Sequence, residues 1–267
     1  MCDISRSVAI FWKWIMSIPV RFSALKNMAL SPAHYRWYAD HPIKQTKPML
    51  YGDALDSLLF GTKEVLTFDG ASRRTKAWTI FADENPEAVL LLAPEREQVD
   101  GMLASLQANS EAMDWLRGTV QTKIEWEMNG RKCSGTPDAF TRNRVAELKS
   151  TRSANPDRFQ NDGRHRAYHA QLAWYHNGLH ELGLVDKNAD CAIVAVESSP
   201  PYPVTIFKLT GRAYDEGTKL WRLWFERLLV CEQSEKWPAY CESIVPFETP
   251  DTEGLTLKID GEEMEIE

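Results

Sequence analysis

Three strand-like segments follow one another between residues 121 and 151, and this stretch constrains the fold more than any other part of the chain. In the first segment, "QTKIEWEM", apolar and polar residues alternate as they do in a half-buried strand. The Asn129–Gly130 pair that follows is a strong hairpin turn, and "RKCSGTPDAF" returns from it as a second strand. A second turn, "TRN", leads into a third strand, "RVAELKST". The pattern therefore predicts a sheet that begins with hairpins.

The segments on either side of these strands indicate helices and two further strands. Helical spacing or capping residues mark four earlier segments: "SPAHYRWYADHP", "KPMLYGDALDSLLFG", "APEREQVDGMLASLQAN" and "EAMDWLRG". Later come a helix, "HRAYHAQLAWYHNGLHELG", two strands, "CAIVAVES" and "VTIFKLT", and a helix from about Arg212 to Glu235. Residues 62–86 are polar and show no strong period. We predict an α/β fold with a mixed central β-sheet flanked by helices and a helical N-terminal region.

Acidic residues concentrate at the end of the chain. From Glu248 onward the formal net charge is −7, which equals the charge of the whole protein, so residues 1–247 are formally neutral. The overall acidity therefore does not exclude a local basic groove. We predict a main domain over residues 21–247 and a flexible acidic tail over residues 248–267. Residues 1–20 form a leader whose apolar run is too short and too interrupted to span a membrane.

Asp138, Glu147 and Lys149 place three ionisable groups on strands that otherwise have the character of buried structure. Burying such groups is costly unless a charge of opposite sign lies among them, and a divalent cation would supply one. Residues two apart on a strand project from the same face, so Glu147 and Lys149 point together, and the tight "TRN" turn brings Asp138 beside them. The alternative interpretation of this spacing is a salt-bridged hairpin in which Glu147 and Lys149 are partly exposed.

Two carboxylates and a lysine suit the hydrolysis of a phosphodiester. Hard oxygen ligands of this kind bind Mg²⁺ or Mn²⁺, and the backbone carbonyl of Leu148 offers a further oxygen at the same place. Such a cation and Lys149 both favour the hydroxide form of an attacking water, and the cation neutralises charge on the phosphate and the leaving group. The residues alone are therefore compatible with metal-dependent hydrolysis by Asp138, Glu147 and Lys149, and equally with the salt-bridged hairpin, because such triplets also occur by chance.

The same segment resembles the PD-(D/E)XK nuclease superfamily, and within it the RecB/RecE-type exonuclease branch. The resemblance rests on Pro137–Asp138, on "ELK" at residues 147–149, and on "QLAWY", which fits the QxxxY motif of that branch. "RFSALKNMALSPAHY", "GDALDSLLFG" and "WPAY" agree with it in order, so the resemblance runs from about Arg21 to about Phe247. It implies a restriction-endonuclease-like core and a Mg²⁺-dependent deoxyribonuclease, with Mn²⁺ as a substitute.

The resemblance also implies a role for each matching residue. It makes metal ligands of Asp138, Glu147 and the Leu148 carbonyl. Lys149 becomes the residue that orients and activates the attacking water. Gln171 and Tyr175, one helical turn apart, become contacts on the substrate side that brace the active site, although Tyr175 also lies on the apolar stripe of its helix.

Two positions depart from the family pattern, and the cysteines exclude one cofactor of the family. Asp56 stands where relatives commonly have a histidine, and an aspartate is still able to bind Mg²⁺. Gln121 stands where relatives often have a glutamate, so the site carries less negative charge and holds one metal firmly and a second weakly. Relatives with an iron–sulfur cluster use closely spaced late cysteines, and Cys231 and Cys241 are too far apart, so we expect no such cluster.

Basic residues gather around and after the proposed catalytic segment. Between Arg142 and His169 seven lysines and arginines outnumber three acidic residues, and such a patch can neutralise phosphates. An arginine-rich, solvated loop is the alternative. We expect DNA to be bound along its backbone, with contacts from Arg152, Arg164 and Arg166. Gln121 is a further candidate contact. Arg21 and Ser23 fall where some exonucleases of this fold bind the 5′-phosphate end.

Three functional hypotheses follow. The first is a RecE-type exonuclease that degrades duplex DNA from its ends, 5′ to 3′, and works with a single-strand annealing protein in phage or prophage recombination. The second is a structure-specific or flap endonuclease of the same fold. The third is a DNA-binding module with a weakened metal site, which Gln121 and Asp56 favour. Processive relatives form rings around DNA, so the resemblance allows a ring homo-oligomer. Five cysteines without metal-finger spacing favour a reducing compartment, and we expect a cytoplasmic protein without a membrane partner.

Overall fold

The computed structural model describes residues 18–41, 43–241, 243–248, 256–259 and 262–265. Apart from residues 18–20, the predicted leader lies outside them. Its strands are β1 (Val20–Arg21), β2 (Val65–Phe68), β3 (Val89–Leu92), β4 (Thr119–Val120), β5 (Ile124–Met128), β6 (Arg131–Gly135), β7 (Ala139–Thr141), β8 (Arg144–Thr151), β9 (Asp190–Glu197), β10 (Val204–Lys208), β11 (Thr256–Ile259) and β12 (Glu262–Glu265). Its α-helices are α1 (Phe22–Leu25), α2 (Pro32–Asp40), α3 (Lys47–Phe60), α4 (Lys76–Glu84), α5 (Ala93–Ala108), α6 (Ser110–Trp115), α7 (Pro156–His165), α8 (Tyr168–Glu181) and α9 (Gly211–Ser234).

The largest sheet is mixed and has the strand order β10–β9–β8–β7–β4. β8 runs parallel to β9, whereas β7 is antiparallel to β8 and β10 is antiparallel to β9. The β7 pairing ends where Ala139 lies opposite Ala146, so residues 147–149 of β8 extend beyond it. This architecture confirms the predicted α/β fold with a mixed central sheet, and it leaves one side of the catalytic segment without a β7 partner.

Side chains of this sheet alternate between two cores, one on each face. Val145 of β8 packs in the core formed with α8 and α9, whereas Ala146 and Leu148 pack with α3 and α5. Burial on both faces, at roughly 25 cal/mol per Å² of apolar surface, is the main favourable term for such a fold. By the same alternation, Glu147 and Lys149 lie on the α8 face.

The helices α8 and α9 pack closely because Gly217 stands at their contact. A Cβ at this position would lie 2.6 Å from the carbonyl oxygen of His169. Trp174 of α8 meets the ring of Trp221 of α9 edge-on, with 5.4 Å between the ring centroids. α9 begins at the N-cap Thr210, whose hydroxyl accepts a hydrogen bond from the Ala213 amide. This packing fixes α8 against the sheet and sets the position of its polar side chains.

A second sheet, with the order β1–β6–β5, covers the C-terminal half of α8. β5 and β6 form the hairpin predicted from the Asn129–Gly130 turn, and both turn residues have positive φ (49° and 73°). β1 adds to β6 in parallel and places Arg21 opposite Ser134. In this way the N-terminal segment reaches the region of the candidate site.

Several predicted elements differ from the structure. "RKCSGTPDAF" was expected as one strand, but it divides into β6 and β7, which belong to different sheets. The chain changes sheet at Thr136–Asp138, because Pro137 has no amide hydrogen to continue a ladder. The region 62–86 contains β2 and α4, which were not predicted. The helix predicted from His165 begins at Tyr168 (α8), and a separate helix that was not predicted, α7, ends at His165; Ala167, in the left-handed region (φ 56°), lies between them.

Two further findings concern the tail and membranes. In the segment predicted as a flexible acidic tail, β11 and β12 pair as antiparallel strands. No helix in the described part of the chain combines the length and the apolar character needed to cross a membrane.

Candidate active site

Asp138 is held in place where the chain leaves β6 and enters β7. Its side chain is buried, and Oδ2 accepts a hydrogen bond from the Leu148 amide at 2.7 Å. Oδ1 accepts a hydrogen bond from Gln121 Nε2 at 2.8 Å, and the Gln121 amide donates to the Asp138 carbonyl at 3.1 Å. Gln121, predicted as a substrate contact, therefore braces Asp138 from both its backbone and its side chain.

Glu147 lies at the centre of the site on β8. Its Oε1 accepts hydrogen bonds from Lys149 Nζ at 2.7 Å and from Gln171 Nε2 at 2.8 Å. Its Oε2 is buried and has no hydrogen-bond partner in the structure. Only 6% of the Glu147 side chain and 19% of the Lys149 side chain are exposed, so this is not the partly exposed salt bridge of the alternative interpretation. A buried acceptor without a donor costs free energy unless a ligand satisfies it.

The helix α8 presents Gln171 and Tyr175 to Glu147 on successive turns. Gln171 Nε2 also lies 3.1 Å from the Tyr175 hydroxyl, so the two residues and Glu147 form a short hydrogen-bonded chain. The Tyr175 ring packs over Gly135 of β6, where a Cβ would come within 2.7 Å of it. The sequence motif predicted this pair of residues, and the structure shows how the helix and the second sheet position them.

The ionisable groups of the site influence one another strongly. Burial, and then the charge of Asp138, raise the pKa of Glu147 to about 8. Burial also raises the pKa of Asp138. Burial disfavours the charge of Lys149, but Glu147 and Asp138 outweigh that effect and raise the pKa of the ammonium. The lysine therefore stays positive at neutral pH, while the carboxylates repel each other and favour an added cation.

Asp56 joins this group from α3, on the other side of the catalytic segment. Burial, and then the charge of Asp138, raise the pKa of Asp56 to about 8, and Glu147 contributes in the same direction. Asp56, which stands where relatives commonly have a histidine, therefore adds a third carboxyl that interacts electrostatically with Asp138 and Glu147. The helix end that follows is fixed by Gly61, which adopts the left-handed conformation (φ 69°).

The donor set fits a hard divalent cation. Among the residues that the structure describes, no three His, Cys, Asp or Glu side chains form a compact metal-binding cluster. Mg²⁺ does not require one, because proteins bind it through one or two carboxylates together with waters and substrate phosphates. The unpartnered Glu147 Oε2 is one such donor. The Leu148 carbonyl is another, since N–H and C=O of one strand residue face the same side and its N–H faces Asp138.

The predicted basic patch separates into two groups. Arg142 pairs with Asp186 at 2.9 Å, and Arg144 pairs with Asp114, at the start of β8 and away from Lys149. In the other direction the strand leads from Lys149 into a cleft of about 280 Å³, which Arg152 and Arg166 line. Lys47, Tyr51, Ser150 and Tyr168 belong to the same cleft. Arg164 lies in a neighbouring, larger cleft.

Arg21 and Ser23 line a third cleft, of about 240 Å³, on the Tyr175 side of the site. Lys123, Ser134 and Thr136 complete its polar wall. The Ser134 hydroxyl is buried and has no hydrogen-bond partner in the structure. Sequence reasoning did not select these three residues, although Ser134 and Thr136 stand immediately before the Pro137–Asp138 motif, which was the signal available.

Lys26 is a further cation that sequence reasoning missed. It lies on the 3₁₀ turn Lys26–Ala29, one turn after Ser23. Desolvation, and then the positive charges of Lys149 and Arg166, lower the pKa of Lys26, although the residue as a whole is exposed. Spacing in the sequence does not indicate this, because Lys26 and Lys149 are 123 residues apart and only the tertiary structure brings their charges within range of each other.

The fold and the family of the chain agree with the resemblance in its sequence. A crystal structure of a protein from Eubacterium rectale, described as a candidate exonuclease, aligns with a TM-score of 0.60 and 15% sequence identity. The alignment covers 87% of this chain and 90% of that one, and it shows a shared fold. The comparison with curated protein sequences finds no match.

The family model described as "PDDEXK-like domain of unknown function" (DUF3799) matches residues 21–248, a range that includes the whole of the predicted main domain. This confirms the predicted PD-(D/E)XK superfamily and supports a nuclease. Divalent metal ions are typical of PD-(D/E)XK nucleases, in agreement with the donor set described above. The chain belongs to this PDDEXK-like family.

Proposed function

We propose that this protein is a metal-dependent exonuclease that hydrolyses phosphodiester bonds of duplex DNA from the ends. One observation carries the proposal: the buried carboxyls of Asp138 and Glu147 converge with the ammonium of Lys149, and Glu147 Oε2 accepts no hydrogen bond of normal geometry. A buried carboxylate oxygen without a donor is an available oxygen ligand for a divalent cation.

The protein's own groups would divide the work as follows. Asp138, Glu147 and the Leu148 carbonyl would hold a divalent cation, with Asp56 as an additional carboxyl. Such a cation, Mg²⁺ or Mn²⁺, supplies Lewis-acid stabilisation of charge on phosphate oxygens. Lys149 Nζ is held by Glu147 Oε1 and remains protonated, so it can donate a hydrogen bond that orients the attacking water. Gln171 fixes the same carboxylate oxygen and prevents Glu147 from rotating.

The cleft that contains Arg21 and Ser23 supports a 5′ to 3′ direction. It contains two basic side chains, Arg21 and Lys123, together with the unpartnered hydroxyl of Ser134, and these groups suit a terminal phosphate. Tyr175 lines this cleft and bonds to Gln171, which contacts Glu147, so a phosphate held there would be close to the site of hydrolysis.

The biological setting follows from this activity. Degradation of one strand from a duplex end exposes a 3′ single strand, so a single-strand annealing protein in phage or prophage recombination is the expected partner. A cytoplasmic location and a ring-shaped homo-oligomer around DNA belong to the same proposal.

Digestion of a linear duplex labelled at the 5′ or the 3′ end tests this function. We expect release of 5′-end nucleotides in Mg²⁺ and none in EDTA, and a loss of at least about 100-fold for Lys149→Ala. Lys187→Ala removes an exposed lysine remote from the site and should retain full activity. Nicking of closed circular DNA would instead identify an endonuclease.

One observation favours the DNA-binding module as a second candidate. The side-chain amide of Gln121 donates a hydrogen bond to Asp138 Oδ1. A glutamate at position 121 would instead have added negative charge that attracts a metal. If the protein binds duplex DNA but neither binds Mg²⁺ near millimolar concentration nor digests DNA, this second candidate replaces the first.

A further inference from the structure

A separate cleft of about 430 Å³ lies between α7, the start of α9 and the edge strand β10. Its walls include the stacked rings of Phe159 and Phe207, whose centroids are 4.5 Å apart, and the ring of Tyr168. Arg164 also lines it, as does Lys208, whose ammonium pairs with Asp190 Oδ2 at 2.7 Å. No step proposed above uses this cleft.

His169 lines the cleft and contains a buried ring nitrogen that makes no hydrogen bond. The residue is 8% exposed, and its Nε2 has no hydrogen-bond partner in the structure. The nearest charge is Glu216 Oε1, 4.0 Å away on α9, which also lines the cleft. Burial lowers the pKa of His169, so the ring is neutral at neutral pH. A neutral imidazole and a carboxylate in this arrangement can pair with the donors and acceptors on the edge of a nucleobase.

The cleft continues the path that leaves the catalytic groups. Tyr168 and Phe159 line both this cleft and the smaller one that contains Arg152 and Arg166. The Tyr168 ring also lies 5.2 Å from Lys149 Nζ. The path from Lys149 therefore crosses an aromatic wall and opens beside His169.

The helix α8 orders the three clefts along one line. Tyr175 lines the Arg21 cleft, Gln171 contacts Glu147, and Tyr168 lines the other two clefts. Seven residues of helix separate Tyr175 from Tyr168, which is about 10 Å. The catalytic carboxylate thus lies between a cleft suited to a terminal phosphate and a cleft suited to a base.

We propose that the cleft around His169 binds one unstacked nucleotide of a single-stranded DNA segment, on the opposite side of the catalytic groups from the Arg21 cleft. The inference rests on the proposed nuclease function and names a further part of its substrate. The base would stack on the aromatic wall and meet His169 and Glu216 with its edge, and Arg164 and Lys208 would contact the flanking phosphates. The aromatic rings, the two cations and the shared wall favour a nucleotide over an extended peptide paired with the free edge of β10.

Fluorescence anisotropy with a labelled oligothymidine in EDTA tests the inference, because no hydrolysis occurs under these conditions. His169→Ala and Ala213→Phe, which fills the cleft, should each weaken binding about tenfold. Neither change alters the charge at neutral pH, so a general loss of cationic attraction cannot produce this effect. Arg164→Ala should weaken binding several-fold, whereas Lys187→Ala, an exposed cation near the opposite end of α8, should not. Melting temperatures within a few degrees of the wild type verify that the variants are folded.

The outcome is independent of the nuclease assay. If the cleft variants bind oligothymidine as the wild type does, the inference is overturned even if Lys149→Ala abolishes digestion, and the edge of β10 is left as a surface for a peptide. If the variants lose affinity although no digestion occurs, the nucleotide cleft stands and the proposed exonuclease fails.

Discussion

Gln171 Nε2 donates a hydrogen bond to Glu147 Oε1 over 2.8 Å, and this contact joins α8 to the catalytic strand. The same oxygen accepts a hydrogen bond from the ammonium of Lys149. Glu147 therefore has one oxygen with two donors and one buried oxygen that accepts no hydrogen bond. The helix therefore determines which carboxylate oxygen of Glu147 is already hydrogen-bonded and which one is left without a donor. Five predictions follow from this site and from the contacts that support it.

Gln171→Ala should lower kcat for duplex digestion by about 10- to 100-fold, because loss of a residue that positions a metal ligand typically has an effect of this size. KM should change less than kcat, since the residue acts through Glu147. Gln107→Ala, an exposed position on α5, is the matched control. An equal loss in both variants, or a change confined to KM, would contradict a positioning role.

The stability of the metal-free protein should depend on pH through Glu147. The pKa of this carboxyl is raised to about 8 in the folded state, above its value of about 4.3 in an unfolded chain. Its contribution to stability is therefore complete below the unfolded pKa and is lost as the pH rises through the folded pKa. Glu147→Gln imitates the protonated form, so it should melt close to the wild type at about pH 5 and above it by about 4 °C at about pH 8.5.

The difference between the two melting temperatures, measured in EDTA at each pH, reports the titration of Glu147 together with its coupling to Asp138 and Asp56. His169 and His176 are also buried, with lowered pKa values, and their effect is the same in both proteins. A difference that stays constant from pH 5 to pH 8.5 would show that Glu147 does not titrate as stated.

Gly135→Ala should reduce activity by displacing Tyr175, because the new Cβ would lie 2.7 Å from its ring. Overpacking of this kind typically costs about 1–3 kcal/mol of stability. Gly211→Ala, at the start of α9 with open space around it, should be neutral or slightly stabilising. Denaturant unfolding and duplex digestion measure the two effects, and full activity of Gly135→Ala would show that the position of Tyr175 is not critical.

Glu232→Ala should destabilise the fold by about 3–5 kcal/mol, because it removes the carboxylate from a buried ion pair with Arg131. The two side chains are only 5–6% exposed, and Arg131 also donates to the Ile18 carbonyl, so the pair joins α9, β6 and the segment before β1. Asp100→Ala breaks the exposed pair with Arg96 and should cost less than about 1 kcal/mol. Equal losses of unfolding free energy in Glu232→Ala and Asp100→Ala, measured by chemical denaturation, would show that the buried pair matters no more than the exposed one.

Arg21→Ala should abolish the preference for a 5′-phosphorylated duplex over a 5′-hydroxyl duplex, at a cost of about tenfold in kcat/KM on the phosphorylated substrate. The reason is the loss of a charge-assisted hydrogen bond to the terminal phosphate. Arg117→Ala, an exposed arginine elsewhere, should keep the preference. If the wild type digests both duplexes equally well, the Arg21 cleft does not bind the 5′-terminal phosphate.

The sequence by itself determined the parts of this protein that depend on local pattern. Alternation, the Asn129–Gly130 turn and the caps at Ser31 and Gly61 led to the correct strands and helices, because these signals act between neighbours along the chain. The spacing of Asp138, Glu147 and Lys149 predicted their convergence, since a tight turn and a two-residue period leave few alternatives.

The tertiary structure alone decided which distant residues meet at the site. It divided the second predicted strand between two sheets at Pro137, and it brought Asp56, Lys26 and the Arg21 cleft to the catalytic strand. It also split the basic patch and placed His169 in a cleft that no motif marks. These contacts depend on the packing of helices on both faces of the sheet, and packing is set by the shapes of residues far apart in the chain.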